Sequence, residues 1–351
     1  MSDRPGPEPE CRDVQGVDHA RLHAWLVENG LTDGRTDASG LTSRLLAGGR
    51  SNLTYEISDG SHTWVLRRPP LGHVLETAHD MGREYRVLEA LRGSAVPVPQ
   101  AIRLCSTAEV LGAPFYLMSL VDGVALRTAA EMEERGPERT RAISLGVVDT
   151  LVALHAVVPS EVGLGDFGRP EGYLERQVRR WQKQLDSSLS RPLPAAAVLH
   201  QRLLRRVPVQ SAPGIVHGDY RLDNVLVDDQ DRIAAVLDWE MATLGDPLMD
   251  LAVMAVYGRL GQEYTSPVIS DVVNARGHVS EAEALERYAA GSGRDLTNLS
   301  FHLGLAAFKL AVILEGIHFR YVHGQTVGDG FEHIGAAVEP LLQLGLDAME
   351  E

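Results

Sequence analysis

Two carboxylates and one carboxamide stand in this sequence at intervals that would bring them together around a metal-bound phosphate. In the run His217-Gly218-Asp219-Tyr220-Arg221-Leu222-Asp223-Asn224, Asp219 and Asn224 lie five positions apart. At that spacing a short loop closing on itself aims both side chains the same way. Val225, Leu226 and Val227 then read as a brief apolar strand, residues 228–231 as a turn rich in Asp and Gln, and residues 232–237 as a returning strand. Such a hairpin carries Asp238, at the end of its second strand, back beside the loop that began the first. Acidic oxygens and an amide at a hairpin's open end suit Mg²⁺, a hard cation that takes oxygen ligands and shares them with phosphate.

The order H-x-D-x-x-x-x-N, an apolar strand and a further Asp is the catalytic-loop pattern of kinases. Here Gly218 stands where protein kinases carry Arg, and Trp239-Glu240 where they carry Phe-Gly. With those replacements the chain resembles the aminoglycoside phosphotransferase and choline kinase superfamily, and within it the subgroup also found fused to acyl-CoA dehydrogenases. The resemblance runs from about Gly48 to Gly324, with LAGGRSNLTYEI, TWVLRRPP, GREYRVLEAL, PFYLMSLVDG, EGYLERQVRRWQKQ and GDPLMDLA as its supporting segments. It implies an α+β, bilobal protein-kinase-like fold: a small antiparallel-sheet lobe, then a larger and mainly helical lobe, with a nucleotide in the cleft. It further implies transfer of the γ-phosphoryl group of ATP, or of GTP, to the hydroxyl of a small molecule with Mg²⁺ as the metal.

Phosphoryl transfer is catalysed mainly by positioning and electrostatics, so the resemblance can be carried over residue by residue. Asp219 is expected to accept the proton of the acceptor hydroxyl, Asn224 and Asp238 to hold Mg²⁺, and Arg221 to fork onto the γ-phosphate. Glu240 is either a further metal or substrate contact or a solvated acid. His217 is expected to hold the loop by hydrogen bonds. Arg67 takes the place of the phosphate-binding Lys, with Arg68 as a rival, and Glu84 is its expected ion-pair partner, with Glu89 as the alternative. The turn Gly48-Gly49-Arg50-Ser51-Asn52 is expected to approach the phosphates with backbone N–H groups. The backbone of Ser119 to Val121, with Met118 packed behind it, is expected to meet the adenine edge. Asp246 reads as a helix cap and Asp250 as a brace for the catalytic loop.

Elements that could position these groups follow from periodicity. Leu22, Trp25 and Leu26 predict an amphipathic helix within residues 18–29. Alternation over 53–57 and 63–67 around Asp59-Gly60 predicts a hairpin, residues 79–92 a helix, and residues 101–105 and 115–120 a further strand pair. Past Gly123 the pattern turns helical over 139–156, 171–185, 195–206, 247–257, 280–290, 298–322 and 330–346. The expected division is a first lobe over residues 1–121, including the hinge, and a helical lobe over 122–351.

A chain of 351 residues, 44% hydrophobic and 23% charged, has the composition of a globular protein with room for two cores. Its net charge of −15 disfavours a nucleic-acid partner, which needs clustered basic residues. Cys11 and Cys105 are the only cysteines, so no disulfide framework is argued and cytoplasmic residence is expected. The first ten residues lack the apolar core of a signal peptide. The longest apolar stretch, 303–317, is interrupted by Lys309 and Glu315 and reads as a buried helix, not a membrane span.

The resulting expectation is a small-molecule phosphotransferase. The candidate acceptors are a hydroxyacyl compound, favoured by Arg169, Arg176, Arg179, Arg180 and Lys183 on or beside one helix, and an aminoglycoside. Trp181, Glu315, His318, Arg320 and Tyr321 are candidate acceptor contacts. Aromatic content of 5% argues against an aromatic box for choline. The alternative is a nucleotide-binding regulatory protein without turnover, supported by Arg67 in place of Lys.

Overall fold

The computed structural model describes residues 14–32, 38–46, 52–71, 80–264, 269–325 and 331–350. The chain divides into two compact units: Met1–Arg92 with Val98–Asp122, and Gly93–Pro97 with Gly123–Glu351.

The first unit begins with α1 (His19–Glu28), whose N-cap Asp18 accepts the Arg21 amide. That bond satisfies one of the donors a helix start leaves open. Strands β1 (Thr42–Leu45), β2 (Leu53–Ser58) and β3 (Thr63–Arg68), helix α2 (Met81–Leu91), then β4 (Ala101–Cys105) and β5 (Phe115–Ser119) follow. The five strands form one antiparallel sheet in the order β1-β2-β3-β5-β4. Alternation sorts their side chains to two faces. Ile57, Trp64, Leu66, Phe115 and Leu117 join Leu22 and Leu26 of α1 in one core. Each such side chain contributes roughly 1.5–3 kcal/mol when fully buried. The intervening residues, Arg67 of β3 and Tyr116 of β5, are direct cross-strand partners on the face where α2 places Glu84. β1 is the strand that sequence alternation alone did not delimit. Gly48, Gly49, Arg50 and Ser51 lie outside the described residues, as does His79.

The second unit is mainly helical: α3 (Ala129–Glu133), α4 (Pro137–Ala156), α5 (Tyr173–Ser188), α6 (Pro194–Arg205), α7 (Leu248–Glu263), α8 (Glu281–Ser292), α9 (Leu299–Val322) and α10 (Val338–Ala348). Helix α9 is its axis, packed by α5, α6, α7 and α10. By length and composition α9 could cross a membrane, yet 78% of its most apolar window is buried inside the protein. The expected helix over 330–346 begins later, after a 3-10 turn at Ile334–Ala337. Among the described residues four short strands interrupt the helices. β7 (Val225–Val227) and β8 (Ile233–Val236) make the expected hairpin, while β6 (Gly214–Val216) and β9 (Thr243–Gly245) form a second antiparallel pair. Periodicity passed over β6, β9 and α3 because three to five residues are too few to show a period.

Candidate active site

The loop between β6 and β7 is fixed from beneath by one buried carboxylate. Asp250, in the first turn of α7 and fully buried, accepts the backbone N–H of His217 at 2.6 Å and of Gly218 at 2.7 Å. His155 of α4 lies 3.3 Å away on the Oδ2 side, with its other ring nitrogen 2.7 Å from the Tyr288 hydroxyl. Burial pushes the Asp250 pKa upward, but the His155 hydrogen bond and charge, with the loop amides, hold it below the ordinary carboxylate value. Such charge-assisted bonds offset the desolvation of a buried ion.

His217 ties the loop to the hairpin. Its Nδ1 accepts the Asp219 amide at 3.2 Å, which leaves Nε2–H to donate to the Leu237 carbonyl at 2.8 Å. The ring is fully buried and packs against Trp239 at 4.6 Å between centroids. These bonds hold the loop, the structural role read from the sequence.

Asp219 and Asn224 meet. The Asn224 Nδ2 donates to the Asp219 carbonyl at 2.8 Å and to Asp219 Oδ2 at 3.0 Å. The Leu237 amide donates to the Asn224 carbonyl at 2.8 Å, so Asp238 follows directly beside Asn224. Asp238 has φ +65° and ψ +60°, a left-handed conformation rare for a residue with a side chain. Arg221 lies 3.5 Å from Asp219 Oδ2 and 3.1 Å from Asp223 Oδ2, with its guanidinium 4.5 Å from the centre of the Tyr257 ring. Burial opposes its charge, yet Tyr257, Asp219, Asp223 and Asp238 together hold its pKa above the ordinary arginine value. The expectation for Arg221 named a phosphate; the structure adds that the same group braces the proposed base.

The metal expectation can be tested against the donors. Both Asn224 amide hydrogens are engaged by Asp219, so the amide oxygen is the group left to bind a cation. Among the described residues no cluster of three or more His, Cys, Asp or Glu side chains is arranged to hold a metal. An amide oxygen beside one carboxylate fits Mg²⁺, which takes one or two protein ligands and completes its shell with water and phosphate oxygens.

In the first unit, Arg67 Nε lies 2.8 Å from Glu84 Oε2, with side-chain exposures of 10% and 2%. Glu84 also accepts from Asn52 Nδ2 at 2.8 Å and from the Tyr116 hydroxyl at 3.0 Å. The rival Arg68 projects to the other face and donates to the carbonyls of Gly16, Leu111 and Pro69. It is thus a packing residue. The side chain of Asn52, expected in a phosphate-facing turn, is buried and orients Glu84. The Ser119 amide donates to the Gln100 carbonyl at 2.9 Å, and its hydroxyl accepts the Gln100 amide at 2.9 Å. Of the Ser119 to Val121 backbone expected at the adenine edge, the Ser119 N–H is thus already paired with Gln100, the residue before β4. Val121 lies beyond the end of β5.

Several acceptor candidates have partners within the protein. Glu315, fully buried, accepts from the Ser190 amide at 3.1 Å, from its hydroxyl at 2.6 Å, and from Arg191 at 3.2 Å. Trp181 is buried. On α5, Arg176 donates to the carbonyls of Glu171 and Arg169, Arg179 pairs with Glu175 at 2.6 Å, and Arg180 lies over Trp181. Sequence reasoning missed Tyr257 and Lys309, which reach the catalytic loop from α7 and α9. An isolated lysine in an apolar helical run was the available signal for the second.

Residues 42–301 match the model of a family described as the phosphotransferase enzyme family. The chain is 34% identical over 354 residues to acyl-CoA dehydrogenase family member 11 of Gallus gallus, covering 99% of this chain and 45% of that protein. Against the Homo sapiens protein of the same name the identity is 33%, covering 94% of this chain and 43% of the relative. The chain therefore spans less than half the length of these relatives. Hygromycin-B 4-O-kinase of Escherichia coli is 25% identical, covering 66% of each. Among solved structures, one from Ralstonia eutropha described as an aminoglycoside phosphotransferase superposes with TM-score 0.80 at 31% identity, covering 95% of this chain and 98% of that one. A thermostable aminoglycoside phosphotransferase mutant in complex with ADP and hygromycin B shares the fold with TM-score 0.60 at 17% identity, covering 93% of this chain and 98% of that one.

Proposed function

The chain belongs to the phosphotransferase enzyme family, and from that premise we propose that it transfers the γ-phosphoryl group of ATP to the hydroxyl of a small molecule with Mg²⁺. The carrying observation is that Asn224 holds Asp219 Oδ2 at 3.0 Å with its own amide oxygen left for a cation.

In this reading Asp219 accepts the proton of the acceptor hydroxyl as its oxygen attacks phosphorus. Asn224 and Arg221 fix the carboxylate's direction, and His217 and Asp250 fix the backbone that carries it. Asn224 and Asp238 would hold Mg²⁺, which when bound neutralises charge on the phosphates. Arg67, set by Glu84, supplies the nucleotide-phosphate cation in place of the usual lysine. Its flat guanidinium forks onto two oxygens where an ammonium meets one. Of the two acceptor classes, a hydroxyacyl compound is favoured over an aminoglycoside, because the similarity to acyl-CoA dehydrogenase family members covers 99% of this chain and that to the hygromycin kinase 66%.

The test is incubation of purified protein with Mg²⁺ and ATP against a library of hydroxyacyl thioesters and aminoglycosides, read as the mass gain of one phosphoryl group. The expected result is a phosphorylated hydroxyacyl product that Asp219→Asn diminishes by about 10²-fold or more. Nucleotide stabilisation without product or ADP release would favour the regulatory reading instead. An Asp219→Asn protein with native turnover would remove Asp219 as the base.

A further inference from the structure

The chain uses lysine sparingly: of 33 basic residues only Lys183 and Lys309 are lysines. Lys183 is exposed on α5. Lys309 is 5% exposed in the middle of α9, where neighbours from Leu303 to Val312 are apolar and buried. Its ammonium donates to the Gly218 carbonyl and lies 5.7 Å from the centre of the Trp181 ring. An ammonium in such surroundings costs several kcal/mol unless its hydrogen bonds repay the lost water. The charges facing it are Asp219 on the loop and Asp250 on α7, which favour it, and Arg180 on α5, which opposes it.

The bonds around Gly218 explain what the ammonium accomplishes. The Gly218 N–H is held by Asp250, its carbonyl by Lys309, and the next N–H, that of Asp219, by His217 Nδ1. Both polar groups of the Gly218–Asp219 peptide, and the N–H of the peptide before it, are therefore directed. Gly218 itself has φ +89°, and as a glycine it has no Cβ to restrict the rotation of its own backbone.

We propose that Lys309 is a positioning residue: by holding the Gly218 carbonyl it sets the plane of the Gly218–Asp219 peptide and so the direction of the Asp219 side chain. The functional consequence rests on the reading of Asp219 as the proton acceptor. A lysine suits the place because a compact ammonium fits under one carbonyl and against an indole, whereas a guanidinium needs more room.

The presence of two lysines makes the test direct. In protein labelled with ¹⁵N and ¹³C at lysine, glycine and aspartate, the ammonium of Lys309 is expected to exchange slowly with water and to show through-space contact to Gly218. Lys309→Met keeps length and removes the donor. It is expected to shift the Gly218 carbonyl and Asp219 amide resonances, and to lower ADP release from Mg²⁺-ATP at least about tenfold while leaving the KM for ATP within about threefold. A generally loosened fold would move KM as well. A folded Lys309→Met protein with unmoved Gly218 and Asp219 resonances, or with native turnover, would overturn the proposal. If that variant does not fold, the native protein decides, since a rapidly exchanging Lys309 ammonium without contact to Gly218 overturns it equally. The spectra need no turnover, so an inactive native protein would refute the phosphotransferase reading while leaving the loop geometry measurable.

Discussion

At Gly218 the backbone stands at φ +89°, and a Cβ there would meet the Met241 backbone carbonyl oxygen at 2.8 Å. Both facts require glycine where protein kinases carry arginine. Gly218→Ala is expected to destabilise the protein by more than about 1 kcal/mol, read as a lower urea midpoint, and to lower turnover because the strain falls next to Asp219. Glu84 presents a different kind of dependence. It is almost wholly buried, and Arg67, Asn52 and Tyr116 all converge on it. Removing one member of a buried ion pair leaves the other charge unmatched, at a cost on the order of 3 kcal/mol. Glu84→Ala should accordingly lower the unfolding midpoint by far more than a surface acid such as Glu138→Ala. Equal midpoints for the two variants would contradict the buried pair.

At the scale of elements, the hairpin β7–β8 is anchored at both ends. At its tip Asp231, with φ +62°, receives Arg135 at 3.0 Å and Arg139 at 2.5 Å from the start of α4 and the segment before it. At its base His217 and Asn224 bind the Leu237 backbone. The entry to α7 is anchored by Asp246, which accepts from the Ser211 amide and hydroxyl and lies 3.2 Å from His302 Nε2. Burial raises the Asp246 pKa, but the His302 and Ser211 interactions outweigh it and hold the value at about 2 against an ordinary 3.8. The folded carboxyl binds its proton more weakly than the unfolded one. Its contribution is therefore complete above about pH 4 and is lost as pH falls through about 2, on the order of 2 kcal/mol. Urea midpoints measured across that window should fall in the native protein. Asp246→Asn should flatten this fall, and an unchanged slope would count against the assignment.

At the scale of the whole molecule, nucleotide and metal should act as ligands of the folded state. Saturation with Mg²⁺-ATP at a hundredfold excess over Kd is expected to add about 2.7 kcal/mol of stability, seen as a raised Tm. Chelation of the divalent ion, or Asp238→Asn, should remove most of that gain. A gain indifferent to both would detach the metal from Asp238. The apolar length of α9 has a physical account at this scale too. It is the axis of the helical unit, and its two interior charges find partners inside the protein, Lys309 at Gly218 and Glu315 at Ser190 and Arg191.

What the sequence determined by itself is what short-range chemistry dictates. The Asp219–Asn224 loop, the hairpin that returns Asp238, and the strands β2, β3, β4 and β5 are local patterns of spacing and alternation, and the structure contains them within a residue or two of the expected bounds. The Arg67–Glu84 pair was legible because a strand residue and a first-turn helix residue were read together through the kinase-like pattern. Tertiary structure alone chose Arg67 over Arg68, because only the packing of α1 and α2 against opposite faces of the sheet says which arginine meets a carboxylate. It also turned Asn52 inward, paired the Ser119 amide with Gln100, closed Glu315 into a packing network, and brought Lys309 from α9 to Gly218, 91 positions away. Those outcomes depend on which polar groups lose water together, and desolvation is a property of the assembled core that no local period encodes.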